Sequence, residues 1–95
     1  MDIDSILNRV DTDLDASLDR LFELLKIPSI STDPAYTADC RRTAEHLAAE
    51  LATRGLHAEV RDTIGHPIVL AKSDGPDNRP HILFYGHYDV QPVDP

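Results

Sequence analysis

Ninety-five residues suffice for one small domain with a single core, and a chain of this size buries a smaller share of its surface than a larger fold does. Seventeen acidic against nine basic side chains give a net charge of -8 with histidine neutral, which repels phosphate backbones and anionic headgroups and argues against nucleic acid or membrane surfaces as partners. Cys40 is the only cysteine, so no internal disulfide can form, and the start of the chain has neither a signal-peptide pattern nor a membrane span; a soluble, cytoplasmic protein is the expectation.

From Ile3 to Leu25, apolar residues recur every three or four positions, which predicts an amphipathic helix. Asp2 or Asp4 can cap its start, and Pro28 stops it beyond Ile27. One helix is the preferred reading, with a break near Thr12 kept open because Asp11, Thr12, Asp13 and Asp15 are poor helix formers. The stretch "PSISTDPAY" reads as a loop, and Asp33 with Pro34 opens a second helix that should run to about Arg54. Its buried stripe is expected to be Cys40, Ala44, Leu47, Ala48 and Leu51, with Gly55 as the left-handed terminator.

After Gly55 the period becomes two. Leu56, Ala58 and Val60 alternate with His57, Glu59 and Arg61, predicting a strand with one wet face. A turn around Gly65 leads to the apolar run Pro67 to Ala71, so the two segments should form a hairpin. "SDGPDNRP" is a further turn. His81 to Tyr85, apolar at its centre, reads as a third strand covered on both faces. The expected fold is therefore α/β, with two helices followed by three strands of a mixed sheet, and there is no internal repeat.

Most candidate chemistry fails on inspection. Asp11, Asp13 and Asp15 have a calcium-loop spacing, but Ala16 and Phe22 stand where its glycine and glutamate are required. Gly55, Gly65, Gly75 and Gly86 form neither a dinucleotide nor a phosphate loop. Cys40 falls in a helix stripe as a structural thiol. His46, His57, His66 and His81 read as ordinary surface histidines, each without an acidic partner at useful spacing.

His87 stands apart because it follows the third strand, and in α/β proteins ligands gather at strand carboxyl ends. If the extended conformation persists, His87 and Asp89 point to the same side. A metal-bound imidazole commonly donates its second N–H to a carboxylate, so Asp89 can orient the ring or ligate directly. A His and an Asp one residue apart also occur in structural turns, so the pair alone leaves both readings open. A metallo-β-lactamase-like cluster is excluded by Tyr85 and Val90, which occupy two positions where that cluster needs histidine.

The stretch "GHYDVQP", Gly86 to Pro92, resembles the first metal-binding motif of the two-zinc exopeptidases and deacylases, which include carnosinase-like dipeptidases, aminoacylases, acetylornithine deacetylases and succinyl-diaminopimelate desuccinylases. "LLKIPSIST" and "LAAELATRGLHAEV" are similar to the N-terminal segment of that family, and the Val-Asp-Pro that follows the motif is most like its dipeptidase branch. The resemblance implies that His87 is a ligand of one metal and that Asp89 is the neighbouring carboxylate in the catalytic machinery that holds its ring. It further implies two divalent ions (zinc, with cobalt or manganese as substitutes), a dipeptide or N-acyl amino acid substrate, and a parent that can be a homodimer. The general base, the remaining ligands and a lid domain would all follow Pro95, making residues 1–95 the N-terminal part of a metallopeptidase catalytic domain, inert alone. The competing expectation is a non-catalytic acidic binding or assembly module.

Overall fold

The computed structural model describes residues 2–93. Helix α1 spans Ile3–Thr12 and α2 spans Leu14–Leu25. Asp2 caps α1, its Oδ1 accepting hydrogen bonds from the Ser5 amide at 2.8 Å and the Ser5 hydroxyl at 2.6 Å. Two helices thus replace the single preferred one. At Asp13 the backbone leaves helical geometry (φ -94°, ψ 5°), and its carboxylate pairs with Arg9. The break falls in the run of short polar residues whose side chains compete for local backbone hydrogen bonds; Thr12 Oγ1 donates to the Asn8 carbonyl at 2.8 Å.

The loop after α2 enters a short 3-10 turn, Pro34–Tyr36, where Asp33 accepts from the Ala35 amide at 2.9 Å. Helix α3, Thr37–Thr53, follows directly. Its end satisfies carbonyls of the last turn: Gly55 donates to Ala52 at 3.0 Å and Leu56 to Leu51 at 3.3 Å, with Gly55 at φ +83°. Cys40 and Ala44 of the expected stripe are buried with Thr43, while Leu47, Ala48 and Leu51 are partly covered.

Strands β1, His57–Arg61, and β2, Ile68–Lys72, pair antiparallel, with Glu59 opposite Leu70 and Val60 opposite Val69. The hairpin packs on α3, and Ala58 and Val60 face that helix side as the half-buried residues of β1. Helix and strand are mixed as expected for α/β, but the sheet holds two strands rather than three among the described residues.

The expected third strand is not formed, and its residues are not buried: Ile82, Leu83, Phe84 and Tyr85 are 79–93% exposed. A strand exists through its ladder, and a segment apolar on both faces also needs a layer on each side. Residues 81–85 have neither here. Backbone pairing resumes just beyond, where Ile30 and Val90 form an isolated parallel bridge. The buried core is correspondingly small: Ile30, Cys40 and Ala44, with Ser29 and Thr43 as buried polar groups. No helix among the described residues is long and apolar enough to cross a membrane.

Candidate functional site

The segment Tyr88 to Val90 lies against the loop that follows α2. Three contacts attach it there. Val90 donates its amide to the Ser29 carbonyl at 2.9 Å, the buried Ser29 hydroxyl donates to the Tyr88 carbonyl at 2.8 Å, and the Ser31 hydroxyl donates to Asp89 Oδ2 at 2.6 Å. On the opposite side, the Tyr88 hydroxyl donates to the Pro67 carbonyl at 2.5 Å, linking the segment to the start of β2. His66, expected as an ordinary turn histidine, donates from Nε2 to the Ser31 carbonyl at 2.8 Å. The motif is thereby clamped between the α2–α3 loop and the hairpin.

Within this clamp His87 and Asp89 meet, with Nδ1 2.9 Å from Oδ1. An ionised carboxylate only accepts hydrogen bonds, so Nδ1 carries the proton, and a ring with no second proton keeps a lone pair on Nε2. That lone pair accepts from the Tyr85 hydroxyl at 2.9 Å. The Ser31 hydroxyl, followed by His87, holds the Asp89 carboxyl below the usual carboxylate range. Burial pushes the Tyr88 phenol above its ordinary value. Ser31, Cys40, His66, Pro67, Tyr85 and His87 border one concavity next to the pair.

The chemistry of this donor set suits one corner of a metal site. His87 offers Nε2, and Asp89 orients the ring in the way outer carboxylates orient metal-bound imidazoles. A catalytic zinc ordinarily requires about three protein ligands. Among the described residues no group of three His, Cys, Asp or Glu is placed to hold an ion.

The other histidines stay outside this cluster, apart from the second-layer contact of His66. His57 does have an acidic partner, contrary to expectation: Asp74 Oδ2 lies 2.9 Å from its Nε2 across the open end of the hairpin, with both side chains exposed. Ser29, Ser31 and Tyr85 were not singled out from the sequence. Ser31 sits inside the quoted "LLKIPSIST", but its contact with Asp89 spans 58 positions and has no local signature. Asp94 and Pro95, which carry the end of the dipeptidase-like stretch, lie outside the described residues.

No family model matches the chain, and no solved structure matches it. Among curated proteins it is similar to the Cys-Gly metallodipeptidase dug1 of Schizosaccharomyces pombe, with 28% identity over 98% of this chain and 22% of that protein. The Cys-Gly metallodipeptidase DUG1 of Saccharomyces cerevisiae is 24% identical over 94% of the chain and 21% of its own length. The Candida albicans protein of the same name is 31% identical over 80% of the chain and 18% of its own length. The chain spans about a fifth of the length of these relatives. The relatives it matches are thus metallodipeptidases by name, the class of protein that the "GHYDVQP" stretch resembles.

Proposed function

We propose that this chain is the N-terminal part of the catalytic domain of a metal-dependent dipeptidase, in which His87 supplies one metal ligand through Nε2 and Asp89 fixes its ring. The observation that carries the reading is the 2.9 Å contact between His87 Nδ1 and Asp89 Oδ1, which makes Nε2, bonded here to the Tyr85 hydroxyl, the ring nitrogen whose lone pair a metal would take in that hydroxyl's place. Similarity to metallodipeptidases along nearly the whole chain supports it. When bound, a pair of divalent ions supplies polarisation of the scissile amide carbonyl and acidification of a water. The residues of this chain contribute placement: Asp89 sets the imidazole tautomer, and the clamp from Ser29, Ser31 and Tyr88 fixes the segment that bears it. Zinc is the ion proposed, with cobalt and manganese as substitutes, since imidazole and carboxylate donors suit all three. A dipeptide is the proposed substrate, and Cys-Gly, from the relatives' names, is the first to assay.

The test uses the full-length polypeptide that contains this chain. Chelation should abolish dipeptide cleavage; zinc, cobalt or manganese should restore it, and magnesium alone should not, because magnesium favours oxygen ligands. His87→Ala should abolish turnover while leaving the circular dichroism spectrum unchanged, and Asp89→Asn should cost about 10- to 100-fold in metal affinity or activity. Full activity of His87→Ala after chelation and zinc return would reject the assignment.

A further inference from the structure

We infer that Ser31 is a positioning residue for His87: its hydroxyl fixes the Asp89 carboxylate so that Asp89 holds the imidazole in the Nδ1–H form. The importance of this for a metal rests on the proposed function; the hydrogen-bond relay does not. Asp89 uses its two oxygens on two different partners, Oδ1 on His87 at 2.9 Å and Oδ2 on Ser31 at 2.6 Å. A carboxylate bonded only to the ring is free to rotate about its Cβ–Cγ bond. The second bond removes that freedom.

Ser31 is itself held from both sides. The Ile30–Val90 bridge and the Ser29–Val90 bond tie its backbone to the residues flanking Asp89, and His66 donates to its carbonyl at 2.8 Å. A neutral histidine free in water favours the Nε2–H tautomer, which has no lone pair on Nε2. Selecting the other tautomer is therefore a requirement for any ligand role of that nitrogen. Thr43 provides the contrast, because its buried hydroxyl bonds to the Asp39 carbonyl within α3 and lies outside the clamp.

The experiment uses the metal-free full-length polypeptide with nitrogen-15 histidine, at a pH where the rings are neutral. Two-bond proton–nitrogen spectra read each tautomer, and His87→Ala assigns the His87 signals. Wild type should show His87 as Nδ1–H. Ser31→Ala should move it toward Nε2–H and weaken zinc binding, measured by chelator competition, about 10-fold. Ser31→Thr, which keeps a hydroxyl, should restore both, whereas Thr43→Ala should lower thermal stability and leave tautomer and affinity alone. An Nε2–H ring in the wild type would overturn the inference without any variant, as would a Ser31→Ala protein with wild-type tautomer and affinity. Zinc binding that depends on His87 but not on Ser31 would sink the inference and spare the proposed function. A tautomer shift in a protein that binds no zinc would do the reverse.

Discussion

Cys40 has no exposed surface, and desolvation, reinforced by the carboxylates of Asp89 and Asp39, pushes its thiol above the ordinary value. Only the thiolate reacts with electrophiles, so alkylation near neutral pH should wait on unfolding. Peptide-resolved mass spectrometry of the iodoacetamide-treated full-length polypeptide should find Cys40 unmodified in buffer and modified in denaturant; equal labelling in both would contradict the burial. The same shift has a sign in stability. The unfolded thiol loses its proton near about pH 8.5 while the folded one keeps it, so above that pH the unfolded state binds fewer protons and stability falls as pH rises. Denaturation midpoints measured either side of that value, with Cys40→Ala as control, should separate this contribution from other titrations. Sequence pattern located Cys40 correctly because a helix stripe is a local property. It anticipated the contact between His87 and Asp89 for a similar reason, since two positions of extended chain bring them to one side. It could not locate Ser31, whose bond to Asp89 depends on how two loops meet.

Gly55 sets the junction between α3 and β1. Its φ of +83° permits the paired bonds that close the helix, and a Cβ there would meet nothing within 4 Å. Gly55→Ala should therefore cost about 1–2 kcal/mol through backbone strain rather than through a clash. Gly55→Asn should cost less, since asparagine visits this region more readily. Denaturant titration of the full-length polypeptide checks both, and an alanine variant as stable as wild type would show that the turn does not need its left-handed residue. This junction was legible because glycine after a helical stripe and a change of period from 3.6 to 2 coincide at one place. The hairpin was legible too, from alternation and the turn around Gly65. The break at Asp13 was visible only as weak helix propensity, with too little difference between one helix and two to decide. The third strand failed for a different reason. Apolar content at Ile82, Leu83 and Phe84 reports what the segment would bury, but strand formation depends on partners that local pattern does not reveal.

The whole molecule is loose for its length. Its radius of gyration is 16.0 Å where a compact chain of this size would have about 12 Å, and its accessible surface is 8015 Å² against about 5,500 Å². Two apolar surfaces stand exposed on it: the stripe from Ile3 to Leu25 along α1 and α2, and Ile82 to Tyr85. Burying the side chains of Ile82, Leu83 and Phe84 would contribute about 5–9 kcal/mol, which falls within the roughly 4–15 kcal/mol that association costs in lost freedom. The half-exposed helix stripe adds a comparable amount, so the two surfaces together favour self-association, helped by the unpaired edges of the hairpin. The net charge of -8 opposes it through repulsion between copies, and salt screens that repulsion over about 8 Å at 0.15 M. Residues 1–95 expressed alone should therefore scatter light as oligomers whose mass rises with concentration and salt. They should also bind a hydrophobic dye and show poor amide dispersion in NMR spectra, with no dipeptide cleavage in the presence of zinc. If association instead fell as salt rose, electrostatic attraction rather than apolar contact would be responsible. A monodisperse, well-dispersed monomer would mean that these surfaces need no cover, which favours a self-sufficient acidic binding module over a segment of a larger catalytic domain.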